Sequence, residues 1–266
     1  MKKITANHQF KKKYGQNFLI DENILTKIVN KANIREETLV LEVGVGSANL
    51  TKKIANVAKY VIGYEIDETL KPLVSESLES HENVKVIYDD FLKRDLIKDV
   101  KEFDYNHLFV VANLPYYITT PIISKLIEDN LDIDKMVIMV QKEVGNRINA
   151  KPNTKDYSSL TIFIHYYFDV EKLFDVSRNV FIPKPNVDSI IIQLKKRDKK
   201  EHLKDEKLFF KLIRDAFKYK RKNLRNNLKD YDLEKINTVL SRYGLDLTVR
   251  AEQLTMEQFI TIANAL

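Results

Sequence analysis

The sequence predicts an α/β fold: a mostly parallel sheet with one antiparallel strand, covered by helices, and then a small all-helical C-terminal domain. Three observations predict it. Short apolar runs alternate with helical patterns through the first two-thirds of the 266 residues, as strands and crossover helices do. The last apolar run follows its predecessor too soon for a crossover helix, so a hairpin and a reversed edge strand are expected there. Beyond Leu194 the pattern changes to a charge run and then to helical periodicity.

The elements follow in order. Strands are expected at 39–43, 60–65, 84–88, 108–112 and 135–140, then at TIFIHYYF (161–168) and DSIIIQL (188–194). Helices should fill Glu22–Ala32, Leu50–Ala55, Glu68–Glu79 and Pro121–Glu128. After the charged stretch KKRDKKEHLKDEK, one helical face carries Leu208, Leu212, Ile213, Ala216 and Phe217. Shorter helices follow near Leu233–Tyr243, with Gly244 as a stop, and near Thr255–Ala265. The predicted domains are residues 1–198 and 199–266.

Composition narrows the function. Hydrophobic residues make up 44% and charged residues 31% of the chain, as in ordinary globular proteins. With no cysteine, disulfide and thiolate chemistry are excluded. No run approaches the ~18 apolar residues of a membrane span, and MKKITANHQFKKKYGQNF lacks a signal-peptide core. A cytoplasmic protein that contacts no membrane is expected. From Lys195 onward there are 18 Lys+Arg and 11 Asp+Glu, or +7; the total is +6, so the first 194 residues carry −1. That asymmetry suggests a basic module for a polyanion beside a near-neutral one.

Three successive strand tips carry candidate binding groups. Leu41-Glu42-Val43-Gly44-Val45-Gly46 runs from strand into a glycine turn, where backbone can approach a ligand. A dinucleotide fingerprint wants a third glycine at position 49, which is Asn. Glu65 ends the second strand, about 20 residues on, where a carboxylate can accept from ribose hydroxyls. Asp89-Asp90-Phe91 ends the third, with an acid to accept from an adenine amino group and a ring to cover it. Open α/β sheets bind ligands at these carboxyl ends.

Asn113-Leu114-Pro115-Tyr116 follows the fourth strand. An adenine amino nitrogen is a poor nucleophile, because its lone pair is delocalised into the ring. The Asn113 carbonyl and a neighbouring backbone carbonyl can accept its two hydrogens and aim the lone pair at a methyl on a sulfonium. This is positioning and electrostatic stabilisation without a strong base. Tyr116 offers a face for a flipped base. In the C-terminal part Lys218, Lys220, Arg221, Lys222 and Arg225 lie within eight residues with no acid among them. Helical spacing places Lys218, Lys222 and Arg225 near one face, suited to phosphates. The Lys11–Lys13 cluster would add to it.

These segments resemble the KsgA family of small-subunit rRNA adenine dimethyltransferases, relatives of the Erm methyltransferases. The matching stretches are 13–19 (KYGQNFL), 42–51, 113–116 (NLPY) with 118–121 (ITTP), 141–147, 181–189 (FIPKPNVDS) and 250–252 (RAE), in order along nearly the whole chain. The resemblance implies a Rossmann-like class I methyltransferase sheet and S-adenosyl-L-methionine as cofactor, with no metal. It assigns Asn17, Leu19, Gly44, Glu65, Asp90 and Asn113 to cofactor binding. Catalysis falls to Asn113, Leu114, Tyr116 and Phe181, with Tyr116 and Phe181 as plates around the flipped adenine. Val45 stands where the family usually has Pro; both glycines remain. The implied reaction is N6,N6-dimethylation of two adjacent adenosines near the 3′ end of 16S rRNA, by a monomer, in the assembling small subunit. The alternative is Erm-like methylation of one 23S rRNA adenosine, giving macrolide resistance. Leu114, where Erm proteins more often have Ile, and the 141–147 and 250–252 segments favour the first. A non-catalytic RNA-binding assembly factor is disfavoured by intact Asn113, Tyr116 and Glu65, and a NAD-dependent dehydrogenase by Asn49.

Overall fold

The computed structural model describes residues 16–198 and 202–266, and its elements alternate through the first two-thirds as expected. In chain order they are β1 (Phe18–Leu19), α1 (Glu22–Ala32), β2 (Thr38–Val43), α2 (Asn49–Ala55), β3 (Tyr60–Glu65), α3 (Lys71–Leu78) and β4 (Val84–Tyr88). Then come α4 (Leu96–Val100), β5 (His107–Asn113), α5 (Thr119–Glu128), β6 (Lys135–Gln141), α6 (Lys142–Ile148), α7 (Ser159–Tyr167), β7 (Phe168–Val176), β8 (Phe181–Ile182) and β9 (Ser189–Lys196). The chain closes with α8 (Glu206–Ala216), α9 (Leu224–Asn227), α10 (Leu233–Ser241) and α11 (Met256–Ala265).

The large sheet has the order β4-β3-β2-β5-β6-β9-β7. Its first five strands pair in parallel, and β9 is antiparallel to β6, with Ile138 opposite Ile192. β2 through β4 build outward in one direction and β5 and β6 in the other. The order therefore reverses between β2 and β5, and a crevice opens at the carboxyl ends of those two strands. Residues 39–41 of β2 are wholly buried, as expected for a strand covered on both faces. Asp21 caps α1 by accepting from the N–H groups of Asn23 and Ile24 at 2.9 and 3.0 Å.

Two expectations are corrected. TIFIHYYF lies in a helix, α7, and not in a strand: Ser158 N–H donates to Thr161 Oγ1 at 3.1 Å in a capping box, and Thr161, Ile162, Ile164 and Tyr166 are buried. A short run apolar on all sides does not by itself distinguish a buried helix from a buried strand. The strand expected there follows it, in the more polar FDVEKLFDV of β7. The reversed strand β9 is thus not the edge; β7 lies outside it.

Packing divides the chain into two units, residues 1–145 with 171–196 and residues 146–170 with 197–266. This differs from the 1–198/199–266 division, since the α7 segment groups with the C-terminal helices. Ile162 and Tyr166 share a core with Phe209, Leu212, Ile213, Ile236, Leu240 and Phe259. On α8 Phe209 is buried and Leu208 and Phe217 only partly so, which rotates the expected apolar face slightly. Among the described residues no helix is long and apolar enough to cross a membrane.

Candidate active site

β2 ends at Val43, and the chain turns through Gly44 (φ 86°), Gly46 (φ 57°) and Ala48 (φ 62°) into α2. Both glycines occupy the left-handed region that side chains disfavour. A Cβ on Gly46 would also stand 2.8 Å from the Phe18 ring. This turn floors a cleft formed from the tips of β2, β3, β4 and β5 and from residues 16–19.

Glu65, at the tip of β3, is buried and fixed by two backbone donors. Gly46 N–H reaches Oε2 and Asp67 N–H reaches Oε1, each at 2.8 Å. Each carboxylate oxygen keeps a second lone-pair site for a ligand hydroxyl. Burial outweighs these donors and holds its pKa above the ordinary carboxylate value. At the tip of β4, Asp90 Oδ1 accepts from Leu92 N–H at 3.1 Å. Asp89 Oδ2 accepts from Arg94 at 3.2 Å. The Asp90 N–H and the Arg94 guanidinium hold the Asp89 carboxyl below its usual range. Phe91 is buried edge-on against Tyr64, with centroids 5.0 Å apart.

Beneath these acids lies a network that reading of the sequence missed. Arg94 binds the buried Asp99 through Nε at 3.1 Å and Nη2 at 2.5 Å, and the Tyr64 hydroxyl donates to Asp99 at 3.2 Å. Asp99 sits in a short, charged helix that reads as solvated surface, so no local pattern marks it. Glu42, which in the sequence reads only as part of the glycine motif, is a second such group. It is 1% exposed and lines the cleft, and its Oε2 has no hydrogen-bond partner. Desolvation, with a smaller contribution from the nearby Glu65 charge, pushes its pKa up to about 8.

Asn113 ends β5 beside the glycine turn. Its Nδ2 donates to the backbone carbonyl of Asn17 at 3.2 Å, which commits the nitrogen and leaves Oδ1 as the atom able to accept. Leu114 is buried, and its N–H is anchored on Met139 O at 3.1 Å. The Tyr116 hydroxyl and the buried Ser189 Oγ are 2.5 Å apart, which locks the ring. Burial raises the Tyr116 phenol pKa, so it stays protonated. Thr119 Oγ1 donates to Pro115 O at 3.1 Å and holds the turn. Leu19 lines the cleft, and its carbonyl accepts from Asn49 Nδ2 at 3.4 Å.

The cleft therefore gathers Asn17, Leu19, Gly44, Glu65, Asp90, Asn113, Leu114 and Tyr116. It does not gather Phe181. That residue pairs with Leu19 across β1 and β8 and is 3% exposed in the core that holds Leu25 and Ile28. The ring expected as a stacking plate is thus buried against apolar neighbours and is not part of the cleft lining. The basic residues are also arranged differently from expectation. α8 ends at Ala216, where Asn227 Nδ2 donates to the terminal carbonyl of Ala216 (2.6 Å) and to that of Tyr219 in the following turn (3.2 Å). Lys218, Lys220, Arg221 and Lys222 lie in the turns that follow and Arg225 in α9, all exposed, so no single helical face carries them. Lys11–Lys13 lie outside the described residues.

Four acidic residues line the cleft, the carboxylates Glu65, Asp89 and Asp90 and the protonated Glu42, and among the described residues no Lys, Arg or His does. Such a lining repels a pyrophosphate and suits a cation. S-adenosylmethionine is chemically compatible with such a lining: its sulfonium and ammonium are cationic, its ribose hydroxyls could donate to the open lone pairs of Glu65, and the backbone at Gly44 presents no side chain.

The sequence pattern of the ribosomal RNA adenine dimethylase family matches residues 7–266. The ribosomal RNA small subunit methyltransferase A of Bacillus mycoides (strain KBAB4) is 47% identical over 97% of this chain and 91% of its own length. That of Geobacillus sp. (strain WCH70) is 46% identical with the same coverage. A dimethyladenosine transferase from Plasmodium falciparum superposes with a TM-score of 0.76 at 28% identity, over 92% of this chain and 95% of that one. The 23S rRNA methyltransferase ErmE gives 0.72 at 26% identity, over 94% and 99%. This chain belongs to the ribosomal RNA adenine dimethylase family and is an S-adenosylmethionine-dependent rRNA adenine dimethyltransferase.

Proposed function

We propose that this chain works as a monomer in the cytoplasm and dimethylates the N6 amino groups of two adjacent adenosines near the 3′ end of 16S rRNA in the assembling small subunit. The observation that carries the chemistry is the orientation of Asn113. With Nδ2 tied to Asn17, its Oδ1 accepts one hydrogen of the target amino group, and the Leu114 carbonyl accepts the other. Bound S-adenosylmethionine supplies an electrophilic methyl on a sulfonium. Tyr116, locked by Ser189, presents a ring face to the flipped adenine. As the nitrogen–carbon bond forms, positive charge develops on the nitrogen, and the two carbonyl dipoles stabilise it. The displaced proton passes to solvent, since the protonated phenol of Tyr116 is no base.

The small-subunit target is supported by the 47% and 46% identity to enzymes named for it, against 26% to the 23S rRNA enzyme. The exposed cations at 218–225 supply the phosphate contacts in this reading. Mass spectrometry of the 16S rRNA 3′ fragment, from cells with and without the gene, tests it. Loss of dimethyladenosine at two neighbouring positions, restored by the gene, is expected. A change confined to 23S rRNA would overturn the assignment.

A further inference from the structure

Of the aromatic side chains lining the cleft that the reaction above leaves unused, Phe18, Tyr64 and Phe91 are buried and Tyr117 is exposed. Tyr117 follows Tyr116 in the single 3-10 turn Tyr116–Ile118 and lines the same cleft, yet it is 53% exposed. Its neighbour is half-buried and hydrogen-bonded to Ser189. Two residues before Ser189, Val187 is 43% exposed. Exposed apolar side chains thus stand close in sequence to both partners of the hydrogen bond that locks the base-facing ring.

Single exposed apolar residues need no explanation, but an aromatic at the rim of a nucleobase site has a specific use. When one base is extruded into a pocket, the adjacent base loses its stacking partner on that side. An aromatic side chain can replace that partner whatever the base, because every base has a π face. None of the described residues lining this cleft is cationic, so the charge-paired phosphate contact of a Lys or Arg is not offered there. Stacking is an interaction the rim can offer.

We propose that Tyr117 is the platform on which the nucleotide next to the target adenosine stacks, so that the second adenosine of the pair is held at the rim while the first occupies the cleft. This rests on the assignment of two adjacent adenosines made above. It makes Tyr117 a specificity residue for a tandem substrate, with a task distinct from those of Asn113 and Tyr116.

The test compares Tyr117→Ala, Tyr117→Leu and Tyr117→Phe with the wild type on small subunits from cells lacking the gene. Methyl groups are counted at each position by mass spectrometry, and cofactor affinity is measured by calorimetry. Tyr117→Ala should raise the KM for subunits on the order of 10-fold, the loss of one stacked base. kcat and cofactor affinity should move less than about 2-fold, since the side chain is exposed and holds neither group. Particles with only one of the two adenosines dimethylated should accumulate. Tyr117→Phe should behave as wild type and Tyr117→Leu as Tyr117→Ala, because leucine keeps apolar bulk without a π face. A wild-type KM and methylation pattern in Tyr117→Ala would overturn the platform, as would a leucine variant as active as the phenylalanine one. Failure of the wild-type protein to dimethylate either small-subunit position would defeat the substrate assignment itself, which no variant result can mimic.

Discussion

The cleft and the segment at 218–225 hold charge in opposite ways. In the cleft Glu42 and Glu65 are buried, and Glu65 and Asp90 are fixed by backbone N–H groups. In the second unit five cations stand exposed on turns and a one-turn helix, and Lys220 Nζ donates to the Lys155 carbonyl at 2.5 Å. The first arrangement is preorganised and shielded from salt, as recognition of one small cation requires. The second is solvated and screened over a Debye length of about 8–10 Å, as contact with a long polyanion allows. Desolvation is costly in one place and nearly absent in the other.

That contrast can be broken at several points, and the largest effect should come from the most buried acid. Glu42 holds its proton to about pH 8 in the folded state and releases it near 4.5 when unfolded. Its raised pKa therefore makes stability fall as pH climbs through that window, with no further loss above it, by up to about 5 kcal/mol. Glu42→Gln should remove this part of the pH dependence. Urea unfolding at pH 5 and pH 8.5 measures it; identical pH dependence in variant and wild type would mean that Glu42 is not held protonated.

Asn113→Ala should still fold, since the side chain is half-buried at a strand tip. It should slow single-turnover methyl transfer on the order of 10²–10³-fold, by analogy with the loss of one oxyanion donor. RNA binding should change little. Transfer at the wild-type rate would remove the carbonyl from the mechanism.

Glu65→Ala should weaken cofactor binding by about 1.5–3 kcal/mol, the worth of charge-assisted hydrogen bonds, while RNA binding stays intact. Calorimetric titration decides it, and unchanged affinity would place the ribose elsewhere.

The smallest effects should come from the solvated side. Replacing Lys218, Lys222 and Arg225 together with Gln should lower the log–log salt slope of subunit binding by roughly 0.7–0.9 for each lost phosphate contact. Cofactor affinity should not change. An unaltered slope would show that these exposed cations merely keep the protein soluble, and the contrast with the cleft would lose its functional meaning.

The sequence by itself determined the alternation of strands and helices, the strand tips that bear Gly44, Glu65, Asp90 and Asn113, and the family. All of these rest on local periodicity and on motifs a few residues long, and such patterns survive without knowledge of the fold. The tertiary structure alone decided which way Asn113 points, because its partner Asn17 lies 96 residues away. It alone buried Phe181 against Leu19, coupled Asp89 through Arg94 to Asp99, and made a helix of an apolar run that reads equally well as a strand. It also ended α8 before the lysines, through an Asn227 side chain 11 residues beyond the carbonyl it caps. In each case the deciding term is burial or a hydrogen bond between groups distant in sequence. Its energy depends on what the folded chain places opposite a residue, and no local pattern encodes that.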